Sequence, residues 1–112
     1  MGGAENMLFI SAEDFFCKVK DISPLTREEE KALGIVKDAV AREKLLQGYL
    51  PTVAAFVKRA PKDIQTLSTV YECISALEKA IDSFDFSQDN VRFAPRLCTR
   101  LRQCIVKCIA NR

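Results

Sequence analysis

The sequence predicts an all-α protein: a compact bundle of about five helices in a single domain. Four glycines, four prolines and almost no alternating β-branched runs argue against a sheet. Serine or threonine followed three residues later by an acidic residue, a pattern typical of helix starts, occurs at Ser11 and at Thr26. The chain has 112 residues, of which 48% are hydrophobic, enough to bury one modest core.

We expect a flexible N-terminus over residues 1–10 and one helical domain over residues 11–112. The first helix is predicted to begin at Ser11, because Asp14 stands at the third position of a capping-box pattern. A serine hydroxyl placed there can accept a hydrogen bond from an amide that has no partner inside the helix.

A second helix start is predicted at Thr26, where Glu29 completes a capping box. From there a single helix is expected over roughly residues 27–58, with apolar residues at helical spacing. Pro51 lies inside this stretch and lacks an amide hydrogen, so we expect a kink or break just before it.

The next helix is predicted to open at Pro61 and Asp63 and to carry one continuous apolar stripe. Its members are Ile64, Leu67, Val70, Tyr71, Ile74, Leu77, Ile81 and Phe84. A polar loop is expected over residues 85–92, and Pro95 suits the first position of a last helix.

The last helix is predicted to have one buried side and one basic side. Its apolar face comprises Leu97, Leu101, Cys104, Ile105, Cys108 and Ile109. The basic flank beside this face comprises Arg96, Arg100, Gln103 and Lys107. Residues 1–89 carry 11 basic and 15 acidic side chains, whereas residues 90–112 carry six basic and no acidic ones. This asymmetry favours contact of the C-terminal end with a polyanion, although a basic flank is also common as a simple solvated helix face.

Several functional classes have no support in the sequence. Without histidine and without a Gly-rich phosphate loop, no catalytic constellation is recognisable, so we expect neither an enzyme nor a cofactor. No apolar run is long enough to cross a bilayer and no secretory signal is present, which predicts a cytoplasmic protein.

The five cysteines, Cys17, Cys73, Cys98, Cys104 and Cys108, allow two interpretations. Cys104 and Cys108 are one helical turn apart and could share a soft metal ion. The absence of C-x-x-C and of histidine favours instead reduced, mostly buried thiols that act as small hydrophobic residues. We therefore expect no metal site.

Three stretches, read in order, resemble primary-type bacterial RNA polymerase sigma factors, from the segment before region 2 to the end of region 2. FCKVKDISPLTREEE (16–30) is similar to the family's P-L-L-T-x-E-E-E start, and AREKLLQGYLPTV (41–53) to A-R-E-x-L-I-x-x-N-L-R-L-V. LEKAIDSFDF and VRFAPRLCTRLRQCIVKCI, within 77–109, resemble L-x-K-A-V-x-K-F-D followed by F-S-T-Y-A-x-W-W-I-R-Q-A-I-x-R-x-I.

The resemblance implies a sigma region 2 fold with two working surfaces. One is a helix that docks on the clamp coiled coil of the largest subunit of core RNA polymerase. The family's D-L-I-Q-E-G-x-x-G-L aligns with STVYECISAL (68–77), where Glu72 and Leu77 match and the other polar positions differ. The polymerase-binding residues implied in this way are Ser68, Tyr71, Glu72 and Ser75. A core aromatic remains an equally good interpretation of Tyr71.

The second implied surface reads the promoter −10 element. Gln103 aligns with the residue that pairs with adenine, and Arg102 and Lys107 align with basic backbone contacts. The DNA-binding residues implied are Arg92, Phe93, Arg96, Thr99, Arg100, Arg102, Gln103 and Lys107.

The sequence departs from the family pattern at positions where the family has aromatic residues that capture unpaired bases. Val91, Arg96 and the Thr99-Arg100 pair stand where the family has aromatic residues, and Phe93 keeps one. Aromatic stacking on single-stranded bases contributes about 1–3 kcal/mol per base, whereas guanidinium groups mainly grip phosphate. We therefore expect salt-dependent backbone binding and weak strand opening.

Two rival interpretations follow. In one, the domain is a protein-interaction regulator that docks on polymerase and does not melt DNA. In the other, the basic helix lies on a membrane surface. Its apolar face, however, carries cysteines and no tryptophan, so we expect no contact with a membrane.

Sigma factors normally continue into a helix-turn-helix domain that reads the −35 element. The sequence leaves open whether these residues were cut from a longer protein or form a short natural subunit. In the second case a separate −35-reading subunit would be a partner, and an anti-sigma factor is a further candidate partner.

Overall fold

The computed structural model describes residues 9–112, and it confirms the predicted all-α bundle. Within that range the helices are α1 (Ala12–Val19), α2 (Arg27–Val36), α3 (Ala39–Arg59), α4 (Leu67–Ser83) and α5 (Phe93–Ala110). A short 3-10 turn at Lys62–Ile64 lies between α3 and α4. Helices α3, α4 and α5 pack against one another, and α1 and α2 cover α3.

The two predicted helix starts are present. The Thr26 hydroxyl accepts from the Glu29 amide while the Glu29 carboxylate accepts from the Thr26 amide, so the capping box is complete. The Ser11 hydroxyl accepts from the Asp14 amide. The Asp14 carboxylate, however, accepts from the amide of Ile10 rather than from that of Ser11, and this bond lowers the pKa of Asp14.

The expected single helix over residues 27–58 is wrong, because the chain breaks at Lys37 and not at Pro51. Lys37 adopts a left-handed conformation with φ of 49°, and its ammonium group donates to the Phe84 carbonyl at 2.8 Å. Asp38 then caps α3 by accepting from the Ala41 amide at 2.8 Å. Pro51 removes one hydrogen bond from α3, whose buried residues on both sides keep the helix intact.

The predicted start of the fourth helix at Pro61 and Asp63 is also wrong. Asp63 belongs to the 3-10 turn and Pro61 directly precedes it, whereas α4 begins at Leu67 with Thr66 as its cap. The amide of the Gln65 side chain donates to the carbonyls of Lys58 and Ala60, which holds the chain in a turn at the end of α3. The apolar stripe is therefore helical only from Leu67 onwards.

The polar loop over residues 85–92 is present, but Phe86 within it is buried. Helix α5 begins at Phe93, so Pro95 occupies the third helical position rather than the first. Proline is tolerated there because the first amides of a helix have no partner inside it.

The core is formed by buried side chains from α1, α3, α4 and α5 and from the loop before α5, and the partly buried Leu33 of α2 packs against it. The largest fully buried ones are Phe15, Phe93, Leu45, Leu50, Leu77, Ile81, Leu97, Leu101, Val19, Val53, Val57 and Val70. Phe9 is buried as well and packs edge-on against Phe15, with ring centroids 4.9 Å apart. The expected flexible segment 1–10 therefore does not extend to Phe9, and its residues 1–8 lie outside the described residues.

One ion pair links α3 to α4. The Arg42 guanidinium binds both carboxylate oxygens of Asp82, with Nε–Oδ1 at 2.6 Å and Nη2–Oδ2 at 2.9 Å. These hydrogen bonds lower the pKa of Asp82 and raise that of Arg42. Because both side chains are substantially exposed, the pair adds only about 0.5–1 kcal/mol to stability.

Replacing Gly34 by alanine is expected to destabilise the fold by about 1–3 kcal/mol. Gly34 is buried in α2, and an added methyl carbon would overlap the ring of Phe86. This overlap outweighs the roughly 1 kcal/mol that alanine gains over glycine as a helix former. Urea unfolding of wild type and Gly34→Ala measures the difference.

Gly48→Ala in α3 is the matched control for this test. Its added carbon would approach the flexible side chain of the half-buried Leu25, which can move aside. We expect a smaller loss there than for Gly34→Ala. A Gly34→Ala variant as stable as wild type would contradict the packing of Phe86 on α2.

Candidate nucleic-acid interface

Aromatic packing fixes the first turn of α5. The Phe93 ring is 0% exposed and meets the rings of Tyr49, Phe84 and Phe86, with centroids 5.0, 5.4 and 5.2 Å away, respectively. Tyr49 in turn donates its hydroxyl to the Glu30 carboxylate, and burial together with this bond raises the pKa of Tyr49. The start of α5 is thus pinned to α3 and to the loop before it.

This packing corrects the role expected for Phe93. The resemblance implied that Phe93 contacts DNA bases, but its side chain is enclosed within the aromatic cluster. An aromatic ring stacks on a base only when one of its faces is accessible. We therefore leave Phe93 out of the candidate interface.

A shallow cleft lies on the exposed side of the N-terminal half of α5. Its volume is about 530 Å³, and it is lined by Pro95, Arg96, Thr99, Arg100 and Gln103. All five residues are exposed. The structure therefore brings together four of the predicted DNA-binding residues in one accessible place.

The two arginines of the cleft are available to a ligand. Among residues 9–112, neither Arg96 nor Arg100 forms an ion pair. Arg100 donates one hydrogen bond, to the Ser83 hydroxyl at 3.3 Å, which leaves its other N–H groups free for further acceptors. Helix α5 contains four basic residues and no acidic one, and the positive end of its dipole lies at the same end as the cleft.

The remaining predicted DNA-binding residues are spread over other surfaces. Arg92 lines a groove that it shares with residues of α2 and with Val91. Arg102 is exposed about 200° around α5 from Arg100, and so it faces away from the cleft. Lys107 continues the row of the cleft one turn beyond Gln103, but it lines the neighbouring groove between α4 and α5.

The four predicted polymerase-binding residues share one side of α4. Ser68, Tyr71, Glu72 and Ser75 fall within about 100° of the helix circumference. Ser68 and Glu72 are exposed and Ser75 is half-buried. Tyr71 is 37% exposed, and its hydroxyl accepts from the Phe9 amide at 3.1 Å. Tyr71 therefore both packs on the N-terminal segment and contributes to the surface.

A second groove, of about 480 Å³, runs between α4 and the C-terminal half of α5. Ser68 and Glu72 line one side, and Lys107, Cys104 and Cys108 line the other. Behind Cys104 lies Cys73, whose sulfur is 3.7 Å from that of Cys104. The sequence showed the helical spacing of Cys104 and Cys108, but it contained no signal that Cys73 joins them.

The metal-binding interpretation of the cysteines gains no support from this arrangement. Within residues 9–112, no group of three or more His, Cys, Asp or Glu side chains is placed to hold a metal ion. The same part of the chain contains no helix with the length and apolarity needed to cross a membrane.

No protein-family description matches the chain. No solved structure matches it either. The proposed function therefore rests on the fold and on the geometry of the surfaces.

Proposed function

We propose that this chain is a sigma region 2-like transcription initiation domain that binds core RNA polymerase and promoter −10 DNA. The observation that carries the proposal is the cleft of Arg96, Arg100 and Gln103, which is exposed on a helix without acidic residues. The proposed role is binding in the cytoplasm, with no catalytic step and no cofactor.

The chemistry of the cleft suits a nucleic-acid backbone with one base edge beside it. Arginine forms bidentate, charge-assisted hydrogen bonds with phosphate, and its planar head group is well matched to two phosphate oxygens. Gln103 offers a side-chain amide on the same wall, which can pair with the edge of adenine. The two guanidinium groups would bind phosphates of the strand, and the Gln103 amide would contact the edge of one base.

Polymerase docking is proposed to use the exposed side of α4. Ser68 and Glu72 lie beside the C-terminal half of α5, whereas the cleft uses its N-terminal half. The two surfaces therefore occupy different parts of the same helix pair. A helix face of this kind can pack against a coiled coil through residues three and four apart.

A second candidate function is a regulator that keeps the fold and the polymerase dock but does not open DNA. The enclosure of Phe93 favours it, because α5 contains no other aromatic residue that could trap an unpaired base. A separate −35-reading subunit or an anti-sigma factor is a proposed further partner in either case.

Replacing Glu72 by lysine is expected to weaken retention of core RNA polymerase by the tagged chain at least tenfold at low salt. The substitution reverses a charge at the middle of the exposed α4 face, and a reversed charge within the proposed contact with polymerase is expected to weaken binding. Asp21→Lys, which makes the same charge change at an exposed site after α1, is the control and should bind as wild type does. If Glu72→Lys retains core RNA polymerase as well as wild type does, this face of α4 is not the docking surface.

Permanganate footprinting of a promoter with a −10 element separates the two candidate functions. With core polymerase and this chain present, reactive thymines in the element are expected if the domain opens DNA as a sigma factor does. A complex that forms without reactive thymines would instead identify the non-melting regulator. No complex with core polymerase at all would contradict both.

A further inference from the structure

Three thiols from two helices lie close together where α4 packs against α5. Cys73 is buried on α4, and Cys104 and Cys108 are half-buried on α5. The Cys73 thiol donates to the Cys104 sulfur across a distance of 3.7 Å. The other two cysteines, Cys17 and Cys98, do not line this groove.

The three thiols differ in access to solvent. Cys104 and Cys108 line the groove of about 480 Å³, so a small molecule can reach them. Cys73 is 0% exposed and does not line the groove. Cys104 thus separates the groove from a second thiol that lies within contact distance.

The surroundings also shift the pKa values of the Cys104 and Cys73 thiols in opposite directions. The hydrogen bond donated by Cys73 lowers the pKa of Cys104, and the nearby Cys108 thiol and Lys107 ammonium act in the same direction, whereas burial and Glu72 oppose them. The same hydrogen bond and burial raise the pKa of Cys73. The thiolate is the nucleophilic form of cysteine, so these shifts favour Cys104 over Cys73 as the attacking sulfur.

We propose that Cys104 is a site of oxidation by peroxide and that Cys73 resolves it as a disulfide joining α4 to α5. In the first step the Cys104 thiolate attacks one peroxide oxygen, the O–O bond breaks, and hydroxide leaves and is protonated to water. In the second step the Cys73 sulfur attacks the sulfur of the Cys104 sulfenic acid, and the S–O bond breaks. The departing hydroxide takes the Cys73 proton as water.

The balance is one peroxide and two thiols converted to one disulfide and two water molecules. The peroxide is reduced and the two sulfurs are oxidised. Since a disulfide bond is about 2.05 Å long, the sulfurs have to approach each other by about 1.7 Å. Cys104 and the residues that follow it on α5 are only half-buried or exposed, so this part of the helix has room to adjust.

Trypsin makes the proposal directly testable, because it cuts the sequence so that each of the five cysteines falls into a separate peptide. Cys17 is carried by residues 1–18, Cys73 by 63–79, Cys98 by 97–100, Cys104 by 103–107 and Cys108 by 108–112. The native full chain is treated with hydrogen peroxide at low protein concentration. Free thiols are then alkylated, and the unreduced digest is analysed by mass spectrometry.

The expected product is peptide 63–79 linked to peptide 103–107 in monomeric protein, while the Cys98 and Cys108 peptides stay alkylated. The cross-link should disappear after treatment with dithiothreitol. A free Cys104 after peroxide treatment, or a link between 103–107 and 108–112, would overturn the proposal.

Two variants test the order of the steps. In Cys73→Ala the reaction should stop at the sulfenic acid, so dimedone labelling of peptide 103–107 should rise severalfold over wild type. Cys98→Ser is the matched control on α5 and should form the cross-link as wild type does. Absence of dimedone label on Cys104 in a Cys73→Ala protein with native helical content would show that peroxide does not attack this sulfur. None of these readouts depends on binding to polymerase or DNA.

Discussion

The packing of Phe93 among Tyr49, Phe84 and Phe86 is the constraint on which the arrangement of the surfaces depends. These rings fix both the position and the rotation of α5 at its first turn. Leu97 and Leu101 follow Phe93 at intervals of one turn and are fully buried, so they extend the same contact line along the helix. With that line turned inwards, Arg96, Arg100 and Gln103 are turned to solvent. An α5 that released Phe93 to a ligand would lose the contact that orients its basic side.

The sequence was sufficient to predict the helical class, the start of α2 and the two-sided character of α5, because each depends on local spacing. The break at Lys37 was missed because it depends on a hydrogen bond to the carbonyl of Phe84, a residue far along the chain. Phe93 was assigned to the surface because it aligns with an aromatic residue of the sigma family, and such an alignment does not show whether the side chain is buried or exposed. The Cys73–Cys104 contact depends on how α4 crosses α5, which no spacing within one helix reveals.

The chemistry of α5 separates two ways of holding nucleic acid. Cations that grip phosphate provide affinity for any sequence, whereas aromatic faces capture unpaired bases. This helix has the first kind of group exposed and its one aromatic residue enclosed. Cys104 and Cys108 lie in the C-terminal half of the same helix, beside the α4 surface proposed for polymerase. If both proposals hold, oxidation would fix the α4–α5 contact next to that surface and leave the cleft itself unchanged.

The salt dependence of DNA binding tests most directly whether the basic side of α5 lies on nucleic acid. A duplex that contains a −10 element is titrated with wild type, with Arg96→Ala/Arg100→Ala, and with Lys20→Ala/Lys44→Ala, which removes two exposed cations that do not line the cleft. If Arg92, Arg96, Arg100 and Lys107 each contact a phosphate, a plot of the logarithm of the association constant against the logarithm of the salt concentration has a slope of roughly −3 to −4. The cleft variant should have a slope shallower by about 2, and the control should keep that of wild type. An affinity that does not change with salt, or an equal loss in the control, would contradict a cationic α5 interface.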